Sequence, residues 1–234
     1  MQPPKLDTAR VFERVFAIYR LQARVLLPAA LLIYVVPSLL VLSANFTLQA
    51  LALAAVLIGA IVYQGVVVQA VRDIQDGVRD LSLGGLFRSI SGVLAPLMWT
   101  SLLVGVGVFV GFLAFIIPGL FLLTQWAVAA PVVVCEKRSA PEAISRSRQL
   151  VQGHGWRVFG VLIATLLLVF VASTTLVAVA AGSGRVAIAV ASLVARTLTA
   201  PIFALASAVL YLELLQLKGE SLPPADMAGF SGRT

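Results

Sequence analysis

The sequence predicts an all-α membrane protein of six transmembrane helices, arranged as three hairpins that are each led by an amphipathic helix on the cytoplasmic side. Three observations predict it. The 234 residues are 60% hydrophobic and 12% charged, where an ordinary soluble domain carries roughly 25% charged residues. Uncharged runs cover 25–71 and 93–135, and a third covers 158–212 with only Arg185 and Arg196 inside it. Each run is too long for one crossing: 25–71 amounts to about 70 Å of helix, against a hydrocarbon core of about 30 Å. Each therefore folds back on itself, at a turn signal near its middle.

In chain order, residues 1–24 form a cytoplasmic amphipathic arm. Asp7 caps it; Val11, Phe12, Val15, Phe16, Ile18 and Tyr19 make its apolar side, and Arg10, Glu13, Arg14 and Arg20 lie mostly away from that side. Such a helix lies in the membrane interface. Its apolar continuation starts only at Val25 and runs on through a second span, unlike the roughly 7–15 apolar residues of a cleaved signal. The membrane domain occupies 25–217. Its first two spans, 25–43 and 46–71, are separated by Ser43, Ala44 and Asn45. Spans three and four, 93–115 and 118–135, turn at Ile117, Pro118 and Gly119, the strongest turn signal in the apolar regions. Spans five and six, 158–181 and 186–215, are divided by Gly182, Ser183, Gly184 and Arg185, and the last is long enough to tilt or bend at Pro201. A short cytoplasmic tail, 218–234, follows, with a composition that predicts disorder. The leaders at 7–24, 82–91 and 139–152 suggest a weak internal repeat.

Small residues indicate how the spans pack. Gly107 and Gly111 form a GxxxG pair, and Ala187, Ala191 and Ala195 recur every four positions, as do Ala200, Ala204 and Ala208. Such ridges let helix backbones approach closely in lipid. Orientation follows from the basic residues: of 17 lysines and arginines, all but Arg185 and Arg196 fall on the side of the two termini, which is therefore cytoplasmic. The net charge of +7 belongs to residues flanking apolar spans, where it attracts anionic headgroups. It forms no contiguous patch in a soluble domain, so nucleic acid is excluded as a partner. The single cysteine, Cys135, excludes an internal disulfide framework and reads as a small apolar residue near a helix end.

The most informative stretch is 129–160, AAPVVVCEKRSAPEAISRSRQLVQGHGWRVFG, which leaves one apolar segment, makes a polar excursion and returns. Ser139 followed by Glu142 has the capping-box spacing, and Pro141 suits a first helical turn. Ala143, Ile144, Ser147, Leu150 and Val151 share one face, Glu142 and Arg146 stand at the i, i+4 ion-pair spacing, and Gly153 and Gly155 end the helix. Lys137, Arg138, Arg148 and Arg157 are left to meet phosphate headgroups or an acidic protein partner.

This stretch resembles the hallmark of the membrane domain joined to some bacterial glycerophosphodiester phosphodiesterases, a domain that also occurs alone in bacterial inner-membrane proteins. VFAIYRLQARVLLPAAL, IIPGLFLLTQWAVAAPVVV and YLELLQLKGESL are similar to its first helix, its third turn with the fourth span, and the end of its last span. The likeness covers roughly 7–222. It implies a multi-span helical inner-membrane protein and does not imply the phosphodiesterase, whose catalytic barrel, with its metal, acidic ligands and two histidines, is missing. The one histidine, His154, sits between glycines and reads as a turn residue. The expectation is thus a protein that is not an enzyme and carries no cofactor.

Two further groups have a chemistry to weigh. Asp73, Asp76 and Asp80 share a helix face at a spacing that suits Mg²⁺, and DxxDG opens a motif similar to that of membrane CDP-alcohol phosphotransferases. The motif's later aspartates are absent here, and Arg72 and Arg79 balance the acids, so a solvated helix end is the expectation and no metal is assigned. Arg196, inside the last apolar run, has two readings: first an arginine snorkelling to the outer interface, and second an intramembrane charge, a functional-site hypothesis by default, with Gln125 and Gln64 as polar neighbours. The function that follows is a non-enzymatic module binding anionic membrane lipids or a partner protein at its cytoplasmic face. The alternative is a small transporter or permease-like component, which should show a polar cavity reaching Arg196.

Overall fold

In an uncharged run with no water to bond, each backbone N–H must find a carbonyl within its own segment, and the helix supplies it. The computed structural model describes residues 8–40, 42, 43, 45–75 and 83–222. Asp76 and Asp80 of the acidic group, Asp7, Ala44 and the tail beyond 222 lie outside the described residues. The elements are α1 (Thr8–Leu40), α2 (Phe46–Gln75), α3 (Leu83–Ser91), α4 (Leu94–Ala114), α5 (Ile116–Gln125), α6 (Ala129–Glu136), α7 (Ala140–Val151), α8 (Gly155–Ala180) and α9 (Arg185–Leu217). The fold is all-α. Six segments are long and apolar enough to cross a membrane: α1, α2, α4, α5 with α6, α8 and α9.

α9 is the axis of the bundle. It packs most extensively on α1 and α8, and on α2 as well. From Ala204 to Leu215 every side chain is buried, which is what a helix surrounded by others requires. The opposite condition holds at the periphery, where Leu113, Phe115, Ile117 and Val179 are at least 70% exposed. With lipid as the solvent, that outward apolar surface is stable.

The first leader differs from its expectation. Residues 8–24 run without interruption into the first span as one helix, α1. Val11 and Val15 are fully buried, Arg14 makes an ion pair with Glu213, and the Tyr19 hydroxyl donates to the carbonyl of Leu198 at 3.3 Å. The arm's apolar face is therefore used against α9 rather than against headgroups.

The central hairpin also turns elsewhere. Phe115 alone is extended, between α4 and α5, and Pro118 and Gly119 lie inside α5. A proline is tolerated in a first turn because its missing N–H has no partner there in any case. Gly119 serves contact instead: a Cβ on Gly111 would stand 3.0 Å from the Gly119 Cα, and one on Gly107 would run into the Trp126 ring. The GxxxG pair is thus the surface on which α4 receives α5 and the tryptophan that follows it.

Span four, expected as one helix over 118–135, is two. It breaks across Trp126 to Val128, whose φ, ψ values of −106°, 11° and −109°, 14° lie outside the helical range. The sequence cause is Pro131, which has no N–H to give the Ala127 carbonyl and whose ring crowds that carbonyl.

Candidate functional site

The break in span four exposes backbone groups that a membrane interior cannot hydrate, and α7 satisfies them. Ser147, fully buried, donates its hydroxyl to the Gln125 carbonyl at 2.9 Å and accepts from the Val128 N–H at 3.3 Å. One side chain thus closes both ends of the gap. Ser147→Ala should leave the two groups buried and unpaired and lower stability by about 2 kcal/mol. The measurement is thermal unfolding in detergent; an unchanged midpoint would mean that Ser147 does not hold the gap closed.

α7 is built as the excursion predicts. Lys137 takes the left-handed conformation, φ 50°, and stops α6. Ser139 and Glu142 form the capping box, with the Ser139 N–H donating to Glu142 Oε2 at 3.1 Å. The hydrogen bonds from the Ser139 side chain and backbone hold the Glu142 carboxyl below the usual carboxylate range. This cap therefore adds stability above the unfolded carboxylate's pKa and loses it as pH falls through the lowered value. Ala143, Ser147, Leu150 and Val151 are fully buried; Ile144 is half-buried.

The expected pair of Glu142 with Arg146 is replaced by a larger cluster. Glu136, at the end of α6 with its side chain 5% exposed, accepts from Arg146 Nε at 3.2 Å, from Arg138 Nε at 2.6 Å and from the Tyr211 hydroxyl at 3.0 Å. Arg146 also pairs with Glu220, just beyond α9. Although burial opposes its charge, its contacts with Glu220 and Glu136 raise the Arg146 pKa. The cluster ties α6, α7, the end of α9 and the segment after it. Nearby, Lys218 Nζ donates to the Gln152 carbonyl at 3.2 Å. His154 stands at the N-cap position of α8; burial, with Lys218 and Arg157 near, keeps its pKa below the ordinary imidazole value.

The four candidate contact residues divide. Arg138 is held by Glu136, while Lys137 and Arg148 are exposed and Arg157 is half-buried; among the described residues the last three make no salt bridge. Beside Arg157 stands Trp156, 86% exposed and edge-on to Phe159 with ring centroids 5.8 Å apart. An exposed indole next to basic residues is the signature of a headgroup layer. That rule, applied to the sequence, would have added Trp156.

Sequence reasoning missed Arg72. Counted as a loop cation, it is 4% exposed, and its guanidinium donates to the Cys135 carbonyl at 3.0 Å. A cation at the carbonyl end of α6 is favoured electrostatically. Cys135 itself is buried. Asp73 accepts from Gln69 Nε2 at 2.7 Å. Among the described residues, no group of three or more His, Cys, Asp or Glu side chains is placed to hold a metal ion.

A second feature lies within the spans: a cavity of about 1290 Å³ between α2, α4, α8 and α9. Arg196 and Gln64 both line it. Gln64 Nε2 reaches the Ser207 hydroxyl at 3.3 Å, and Arg196 is exposed. Gln125 is not brought to this cavity; its carbonyl is engaged by Ser147. Trp126 also lines the cavity, with its Nε1 enclosed and no hydrogen-bond partner among the described residues.

Residues 94–225, which include the α6–α7 cluster, Trp156 and Arg196, match the family described as the membrane domain of glycerophosphoryl diester phosphodiesterase. No curated protein and no solved structure was found to match the chain.

Proposed function

Because the chain belongs to the family of the membrane domain of glycerophosphoryl diester phosphodiesterase, and is with its six apolar segments an integral, multi-pass membrane protein, we propose that it is a non-enzymatic membrane module that binds anionic lipid at its cytoplasmic face. The matched residues are those of the membrane domain, and the phosphodiesterase's catalytic domain is not among them. We place it in the bacterial inner membrane, as the family resemblance suggests, with both termini in the cytoplasm, an orientation that the distribution of its lysines and arginines supports. Reporter fusions after Arg88, Gln152 and Thr234 should then read cytoplasmic, and one at Gly182 should read external; an external signal at any of the first three contradicts this orientation.

The observation that carries the lipid reading is the two-sided corner formed by α7 and the start of α8. Its inner face is packed against the bundle, while Lys137, Arg148 and Trp156 are exposed and Arg157 is half-buried beside Trp156. Basic residues near the surface contribute about 1 kcal/mol each toward anionic lipid, so three cations that hold no carboxylate among the described residues amount to a strong preference. An acidic partner protein would meet the same cations.

The permease-like alternative rests on the cavity that reaches Arg196. Its walls are mainly apolar, and its lining on α9 extends no farther than Ala204, where the all-round packing of that helix begins. That setting suits an amphiphile better than a hydrated solute. The test of the proposal is co-purified lipid and protein, compared between wild type and the Lys137→Gln, Arg148→Gln, Arg157→Gln triple variant at matched expression. The expected result is loss of the anionic fraction with the protein still inserted. Unchanged co-purification would reduce the α7–α8 corner to a structural cap.

A further inference from the structure

The intramembrane cavity is not explained by lipid binding at the cytoplasmic corner. At about 1290 Å³ it exceeds the roughly 300–1,000 Å³ of ordinary ligand pockets. Its lining is dominated by side chains such as Leu57, Ile61, Val106, Phe109 and Leu162, which offer nothing to a hydrated solute. Yet Arg196 lines it as well. Along α9, Arg196 stands about 16 Å from Arg185 and about 25 Å from Glu213 at 1.5 Å per residue, inside the apolar part of the helix. No Asp or Glu occurs anywhere in 25–71, 93–135 or 158–212. These apolar runs therefore contain no carboxylate to neutralise it, the carboxylates of the helices lying at their ends, and a lone charge at this depth is unfavourable without a counter-ion.

An apolar chamber with one uncompensated cation is complementary to a molecule with the reverse design, a single anionic head on an apolar chain. We propose that the cavity binds one anionic phospholipid, with its phosphate on the Arg196 guanidinium and an acyl chain along the apolar wall. The guanidinium fork matches phosphate oxygens in geometry as well as charge. The site is separate from the cytoplasmic corner: one binds a lipid within the spans, the other binds headgroups at the surface.

Trp126 lines the same cavity and provides a reporter. The protein carries three tryptophans, so the Trp99→Phe, Trp156→Phe variant, checked by its melting temperature, isolates Trp126; Trp99 lines the cavity too, and phenylalanine keeps that wall aromatic and apolar. It is placed in phosphatidylcholine nanodiscs containing either brominated phosphatidylglycerol or brominated phosphatidylcholine, and Trp126 quenching is followed against mole fraction. The anionic lipid should reach half-quenching at about one-tenth the mole fraction of the neutral one, because both lipids carry the phosphate but the choline ammonium of the neutral lipid offsets the charge that Arg196 would neutralise. Arg196→Gln should abolish that ratio and Arg196→Lys should keep part of it. Equal quenching by the two lipids means ordinary surrounding lipid only and overturns the proposal, as does a ratio that survives Arg196→Gln. If Arg196→Gln does not fold, the comparison of the two lipids on the parent protein still decides. The Lys137→Gln, Arg148→Gln, Arg157→Gln substitutions should leave the Trp126 ratio unchanged, so failure of the cytoplasmic reading and failure of this one give different results.

Discussion

Leu150→Asp prevents the cytoplasmic end of the bundle from assembling. Leu150 is fully buried on the inner face of α7, within the same core as Val132, Val151 and Leu210. The substitution removes an aliphatic side chain whose loss alone costs about 2–5 kcal/mol. It also puts a carboxylate among the apolar side chains of that core, a burial cost of similar or greater size. The sum exceeds the range of ordinary point mutations, in which more than about 4–5 kcal/mol is exceptional. The expected outcome is aggregation on detergent extraction, seen as loss of the monodisperse peak in size-exclusion chromatography. Arg148→Asp, two positions away on an exposed site, should retain the peak. If both variants stay monodisperse, α7 does not carry the packing assigned to it.

Arg146→Met is the second large effect. Removing the guanidinium leaves the nearly buried Glu136 carboxylate with Arg138 and Tyr211 but without its second cation, and leaves Glu220 without its partner on α7. Breaking a buried pair by deleting one member costs about 3–5 kcal/mol; the 17% exposure of Arg146 and the remaining Arg138 place this case nearer to about 2–3 kcal/mol. Thermal unfolding should show a lowered midpoint. The double variant Arg146→Met, Glu136→Gln should recover part of the loss, because the uncompensated charge is gone. A double variant as unstable as the sum of its parts would mean that the two residues do not interact.

Much of the architecture could be read from composition alone, because lipid as solvent imposes long apolar helices and a charge asymmetry. The break between α8 and α9 falls at Gly182 to Gly184 because a turn needs the conformations glycine allows, and Gly184 has φ 91°. The capping box at Ser139 was legible for the same local reason. What could not be read depends on partners distant in sequence. Glu136 meets Tyr211 and Arg146 only when α6, α7 and α9 converge. Arg72 looks like any loop arginine until the carbonyl end of α6 is placed over it. Tyr19 and Val15 carry an amphipathic pattern that fits a membrane surface and α9 equally well, and packing on α9 prevailed. The interruption of span four had a visible cause in Pro131, but its repair by Ser147 had none, since a serine on an apolar helix face carries no mark of what it will bond. Arg196 allowed two readings by position; the structure sets it on a cavity together with Gln64 and apart from Gln125.

The central claim is that the inner side of the α7–α8 corner holds the bundle and the outer side binds anionic lipid, so that the two roles separate. The most direct measurement is the melting temperature of purified protein in phosphatidylcholine nanodiscs titrated with phosphatidylglycerol, since a ligand that binds only the folded state raises it. Wild type should gain stability as the anionic fraction rises. The Lys137→Gln, Arg148→Gln, Arg157→Gln variant should match wild type in neutral lipid and lose most of that gain. An equal gain in the variant, or a variant already destabilised in neutral lipid, would contradict this division of roles.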